Sequence, residues 1–182
     1  ESDKAFFYGK TSIICKEYDI YCEKGNYDTK LQKGSFQKNA IIFYNNKEIR
    51  GDSLYFENER DYAAATNNIS IIDTLNKSVI NGHYGEIFKS RDSAIITRRA
   101  MAINIVDKDS LFIHADTLIA TGPQEKRILR GYYDVRIFKS DLRGKSDSLH
   151  LNQSSGLIKM LKLPLSRKEN QIFAESQKNA RN

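Results

Sequence analysis

Two kinds of residue pattern in this chain invite a chemical reading. A carboxylate followed by a hydroxyl and a leucine recurs as Asp52-Ser53-Leu54, Asp116-Thr117-Leu118 and Asp147-Ser148-Leu149. Two cysteines, Cys15 and Cys22, stand close together near the start. The first pattern suggests a hydrolase and the second a zinc site, and neither holds together. A motif repeated along the chain is not one active site, and no Gly-x-Ser-x-Gly elbow occurs. No second Cys or His pair completes four zinc ligands. His83, His114 and His150 lie at comparable places, 31 and 36 residues apart, and are read as facing solvent. If Tyr18-Asp19 is the tip of a hairpin, Cys15 and Cys22 face each other and a cross-strand disulfide is open to them. The simpler reading is two small buried hydrophobes. The sequence thus gives no catalytic residue, no metal and no cofactor.

What the Asp motifs mark is a change of strand parity. In Ile49-Arg50-Gly51-Asp52-Ser53-Leu54-Tyr55-Phe56 the small and apolar residues are odd-numbered before the Asp and even-numbered after it. The same switch occurs in Leu111, Ile113 and Ala115 against Leu118 and Ala120, around Asp116. Period 2 would place the two sets on opposite faces. One extra residue in a bulge at the Asp returns both to one side. The strand therefore bends and keeps a single apolar lining. Glu23 and His83 hold the same place in two further copies, and Asp147 in a weaker fifth. The pivots 23, 52, 83, 116 and 147 are 29, 31, 33 and 31 residues apart, a period of about 31 that reads as a β-repeat protein. Gly51, Gly82 and Ala115 should face the interior at these corners, where backbones approach closely. Asp52, Asp116 and Asp147 are structural corner residues, with Asp52 and Asp116 expected to accept nearby backbone N–H groups.

The elements around the corners are strands and turns. Short strands at 5–8 and 12–15 precede the first pivot. Apolar runs at 40–44, 62–66, 69–72, 94–97 and 101–106 lie between the others, with turns at Asn45-Asn46, Asp107-Lys108-Asp109 and Gly122-Pro123. A last strand at 157–163 stops at Pro164, and 165–182 is a polar tail, so the domain is taken as 1–164. Two prolines in 182 residues suit long ladders, because proline cannot donate to one. No run approaches the roughly 18 apolar residues of a membrane helix. The fold class is all-β.

The runs Gly51-Asp52-Ser53-Leu54-Tyr55-Phe56, Gly82-His83-Tyr84-Gly85-Glu86, 109–120 and Ser146-Asp147-Ser148-Leu149 resemble the OstA-like family. This group of periplasmic lipopolysaccharide-transport proteins includes LptA and the N-terminal domain of LptD. The run at 109–120 looks most like the OstA-like proteins of Bacteroidetes. The resemblance covers roughly residues 5–163 and departs from LptA in length and loop content. It implies a β-jellyroll: two facing antiparallel sheets forming an open, twisted V-shaped groove that holds lipid A acyl chains. It also implies lipopolysaccharide transport across the periplasm toward the outer membrane, by a chain that carries no signal peptide here and looks cut from a larger protein. The expected partners are lipopolysaccharide, other transport components, or a second copy joined by β-augmentation at the end strands, with peripheral rather than integral membrane contact.

Shared parity makes Ile49, Leu54, Phe56, Leu111, Ile113, Leu118 and Leu149 the expected groove lining. Each buried lipid methylene is worth about 0.8 kcal/mol, so acyl chains alone supply affinity. A net charge of +6 suits an anionic partner. Arg98, Arg99, Arg130 and Arg143 are candidate phosphate contacts, arginine being the better fork for phosphate. The basic residues are scattered and no RNP-type motif or zinc finger occurs, which argues against nucleic acid. Two other readings stand beside the carrier. One is a structural or adhesive β-repeat scaffold with a closed core. The other is a β-helix enzyme acting on polysaccharide, for which no carboxylate cluster with a catalytic base is found.

Overall fold

The structure, a computed structural model, describes residues 3–162 apart from 17, 45, 76, 107, 108, 124 and 125. The expected tail at 165–182, the stop at Pro164 and residues Asn45, Asp107 and Lys108 of two expected turns lie outside the described residues. The strands are β1 (Lys4–Phe7), β2 (Thr11–Ile14), β3 (Tyr18–Cys22), β4 (Lys24–Asp28), β5 (Lys33–Tyr44), β6 (Lys47–Glu57) and β7 (Tyr62–Asp73). They continue as β8 (Ser78–Phe88), β9 (Ser93–Val106), β10 (Asp109–Thr121), β11 (Ile128–Lys139), β12 (Leu142–Asn152) and β13 (Leu157–Leu161). All thirteen belong to one antiparallel sheet, and from β5 onward each strand pairs with the next in sequence. The runs at 62–66 and 69–72 are one strand, β7, and those at 94–97 and 101–106 are one strand, β9.

A single crease divides this sheet. Every long strand pair shifts register at the same height: Gln37/Ala40, Arg50/Ser53, Thr66/Ile69, Asn81/Tyr84, Ala115/Thr117, His114/Thr117 and Tyr132/Val135. On β5, β7, β9 and β11 two consecutive residues fill the shift: Lys38-Asn39, Asn67-Asn68, Arg98-Arg99 and Tyr133-Asp134. All eight are left-handed, with φ between 47° and 64°. The facing strand contributes one residue, Asp52, His83, Asp116 or Asp147. The Asp is therefore the short side of the bulge, and the longer side lies on its neighbours. At the first corner β3 and β4 are two halves of one path, with Glu23 between them, its N–H donating to the Lys38 carbonyl at 3.1 Å.

The crease makes two leaves of the sheet. The upper leaf holds β2, β3 and the segments 40–44, 47–51, 69–73, 78–82, 100–106, 109–115, 135–139 and 142–146. The lower leaf holds β1, β4, the other halves of those strands, and β13. Inside the crease runs a buried row: Cys22, Ala40, Gly51, Ile69, Gly82, Ala100, Ala115, Val135 and Ser146. Gly51, Gly82 and Ala115 stand in it, and small side chains let the leaves meet. The apolar sides of both leaves then form one continuous core, which includes Ile20, Phe36, Leu54, Ile96, Ile113 and Leu118 at 2% exposure or less.

Two corner variants test this geometry. A Cβ at Gly82 would collide with Ile96 Cγ2 and stand 3.2 Å from the Thr97 carbonyl oxygen, whereas one at Gly131 meets nothing nearer than 3.4 Å. Gly82→Ala should lower unfolding stability by about 1–3 kcal/mol, and Gly131→Ala should be near neutral, measured by urea denaturation. Arg99→Gly, which relieves a left-handed arginine, should raise stability by about 1 kcal/mol. A loss at Arg99→Gly would mean that its side chain, not its backbone, sets the corner.

Candidate ligand-binding cleft

Between the leaves the space is filled at both ends and open in the middle. At the amino-terminal end Tyr18 of the upper leaf meets Phe56 of the lower leaf edge-on, with ring centres 4.7 Å apart. Its hydroxyl lies 3.3 Å from that of Tyr27 on the lower leaf. Burial first, then hydrogen bonding with Tyr27 and Cys15, pushes the Tyr18 phenol far above its ordinary range. At the other end Met160 of β13 crosses to the upper leaf, where a Cβ on Gly144 would stand 3.0 Å from its sulfur.

In the middle the lower leaf presents Ala63, Ala65, Gly85 and Ala94 inward, where flanking strands present Phe56 and Leu118. The missing volume is a cleft of ≈ 170 Å³. Its walls are Ile42, Ile49, Ile71 and Ile80 from the upper leaf and Phe56, Ala63, Ile87, Ala94 and Ala120 from the lower. Leu54, Ile69 and Ile96 floor it toward the crease. At about 30 Å³ per water, that volume equals five or six waters, enough for the end of one hydrocarbon chain.

Tyr44, Lys47, Phe88, Lys89, Asp92, Ser93 and Arg127 form the mouth. Lys47 Nζ stands 3.8 Å from the carboxylate of Asp73, which is almost fully buried. Lys89, on the turn after β8, reaches across from the lower leaf, its Nζ 4.8 Å from the Tyr44 ring centre and 5.7 Å from that of Phe56. Below the mouth, on the outer face, Tyr62 and Tyr84 both donate to Glu86 Oε1 at 2.9 and 2.7 Å. Burial and then that carboxylate raise the Tyr62 phenol, and the carboxylate is the larger cause at Tyr84.

Of the expected lining, Ile49 and Phe56 stand on the cleft wall and Leu54 under it. Leu111, Ile113, Leu118 and Leu149 are buried in the packed part of the core, where large side chains from both leaves meet. The four candidate phosphate arginines all lie outside the V. Arg98 and Arg99 are the left-handed pair of β9, with Arg98 5.7 Å from the Tyr84 ring centre. Arg130 points outward between Leu129 and Gly131 and donates to Thr121 Oγ1 at 2.7 Å. Arg143 lies 5.2 Å over Phe138 on the outer face.

Two local expectations need correction. Asp52 accepts the side-chain amide of Asn68 at 3.0 and 3.1 Å, and Asp116 accepts a 3.5 Å bond from the Thr117 hydroxyl, so neither is seen capping backbone. The bend turns both carboxylates outward, and Asp52 lies beside the left-handed pair of the next strand. Cys15 and Cys22 are both free. The turn runs from Cys15 to Tyr18, whose carbonyl accepts the Cys15 N–H at 3.0 Å, and the register sets Cys22 against Thr11. Burial raises the Cys22 thiol. Only His83 of the three histidines is exposed; His114 and His150 are half-buried, and His114 Nδ1 is buried without a hydrogen-bond partner among the described residues.

No family model matches the chain, and no curated protein matches it by sequence. Its fold does have a solved counterpart. LptH of Pseudomonas aeruginosa, described as the LptA-homologous periplasmic component of a lipopolysaccharide transport device, is similar with a TM-score of 0.58. The match covers 68% of this chain and 87% of that one, at 8% identity. The fold class is accordingly the LptA-like β-jellyroll, an unclosed, curved antiparallel sheet.

The sites expected from sequence did not include Ala63, Ile71, Ile80, Ile87, Ala94 and Ala120 of the cleft wall, or the mouth lysines Lys47 and Lys89. The signal for the first group was the concentration of Ala and Gly at inward positions of three successive strands, β7 to β9. At the closed end, Tyr18→Phe keeps the ring contact and should cost about 1 kcal/mol, whereas Tyr18→Ala should cost about 3–5 kcal/mol. Denaturant titration of the two variants checks this, and equal losses would assign the closure to the hydroxyl pair alone.

Proposed function

We propose that this chain is a non-enzymatic carrier that holds acyl chains of lipopolysaccharide between its leaves and passes the lipid across the periplasm toward the outer membrane. The observation that carries the reading is an apolar cleft left open by small residues in the middle of a creased sheet. The likeness of the fold to LptH supports it. A closed-core scaffold has no use for such a gap, and alanines in central strands forgo burial that larger side chains would give. No helix among the described residues is long and apolar enough to cross a membrane.

The cleft as it stands takes one chain end. A multi-acylated lipid needs the leaves to part, and the crease gives them a line about which to do so. The ends of the sheet offer a continuation. β13 pairs only with Ser148–Asn152 of β12, so Leu142–Ser146 forms the last strand of the upper leaf among the described residues. Such an edge recruits a further strand, from another copy or another transport component.

A photo-crosslinking residue at Ile80 or Ile87, inside the cleft, should yield lipopolysaccharide adducts in a producing host. The same probe at Val79, on the outer face, should not. Equal labelling inside and out, or none inside, would overturn the carrier. For the continuation, prolines at Arg143 and Lys145, on that upper-leaf edge, should suppress concentration-dependent growth in light scattering; an unchanged profile rejects end-to-end assembly through it.

A further inference from the structure

We infer that the mouth of the cleft is an anion site, in which Lys89 and Arg127 of the lower leaf and Lys47 of the upper leaf hold the phosphate-type head group of an amphiphile whose chain lies below. The inference rests on the carrier reading and adds where, and by which residues, the charged end is held. The cleft walls are aliphatic side chains, Phe56 and Tyr18, the last with its hydroxyl engaged by Tyr27, so a charged head is excluded from the interior and must stop at the rim. The rim carries three cations, Lys47, Lys89 and Arg127, against two carboxylates, Asp73 and Asp92. Asp73 is almost fully buried beside Lys47 and offsets part of its charge, so among the described residues Lys89 and Arg127 are the rim cations without a carboxylate partner.

Both are weakly held. Lys89 Nζ rests over the rings of Tyr44 and Phe56, and the Arg127 guanidinium makes a long 3.5 Å bond from Nε to the Gly122 carbonyl. Neither forms an ion pair among the described residues. A phosphate at the rim would replace these contacts with charge-assisted hydrogen bonds, which are about twice as strong as neutral ones. Lys47 pairs in register with Tyr44, the residue beneath Lys89, so the two lysines stand on the rim of one opening from opposite leaves. A head group bound there would bridge the leaves across the opening. None of the outer arginines Arg98, Arg130 and Arg143 lines this cleft.

Isothermal titration with decyl phosphate and with decanol separates head from chain. Decyl phosphate should bind more tightly than decanol. Lys89→Gln and Arg127→Gln should each weaken decyl phosphate by about fivefold and leave decanol unchanged, while Arg143→Gln alters neither; circular dichroism verifies that each variant is folded. If the wild type binds both ligands equally, or if the two mouth variants keep full affinity for decyl phosphate, the anion site is wrong and the cleft stands. If neither ligand binds, the cleft reading fails and the anion site with it.

Discussion

A hydrogen-bonded ladder that must turn a corner without losing its lining governs this molecule. At each corner two left-handed residues on one strand face a single residue on the next, and the arrangement repeats from β5 to β12 at one height. Left-handed backbone is costly for residues other than glycine, least so for Asn and Asp. Here Asn39, Asn67, Asn68 and Asp134 take half of the eight positions. The buried row inside the crease, from Cys22 to Ser146, is the steric counterpart: the leaves approach there because its members are mostly small. Without that row the two leaves would splay and the core would be a half-solvated sheet face.

Given the crease, the interior is a wedge, narrow at the fold line and wide at the turns. Filling a wedge takes larger side chains toward the open side. The protein does this at both ends, with Tyr18, Tyr27 and Phe56 at one and Leu151, Ile158 and Met160 at the other. In the centre it does the reverse, setting Ala63, Ala94 and Ala120 where bulk is needed. Dense packing is the rule in protein interiors, so a gap at these alanines is the departure on which the carrier proposal rests.

The even-numbered long strands were readable from sequence because a single extra residue flips their parity, as between Gly51 and Leu54. The odd-numbered strands hid their corners. A two-residue insertion leaves parity intact, so Ala65 and Ile69, or Ile96 and Ala100, stay in step across the bend. That is why β7 and β9 read as two short strands each, and why Arg98-Arg99 read as a basic cluster. The apolar lining was legible as a set, but its division into filled core and open cleft was not. That division depends on which large residues face each other across the leaves, and strand parity carries no such pairing. The mouth as a single site was hidden for a related reason: Lys47, Lys89 and Arg127 lie far apart in sequence and share one opening only when the turns of both leaves are brought over it.

The unequal arithmetic of alternate strands has a consequence for how such a chain changes length. Adding or removing one strand would set a strand with a two-residue corner beside another of its kind, and the fold line would no longer match across the pair. Adding or removing a hairpin keeps the alternation. Descendants of this sequence should therefore lengthen or shorten in steps of two strands, about 31 residues at a time by the spacing of its pivots. The trough between the leaves is thus digital in length, its increments fixed by a backbone rule that operates on the side facing away from the core.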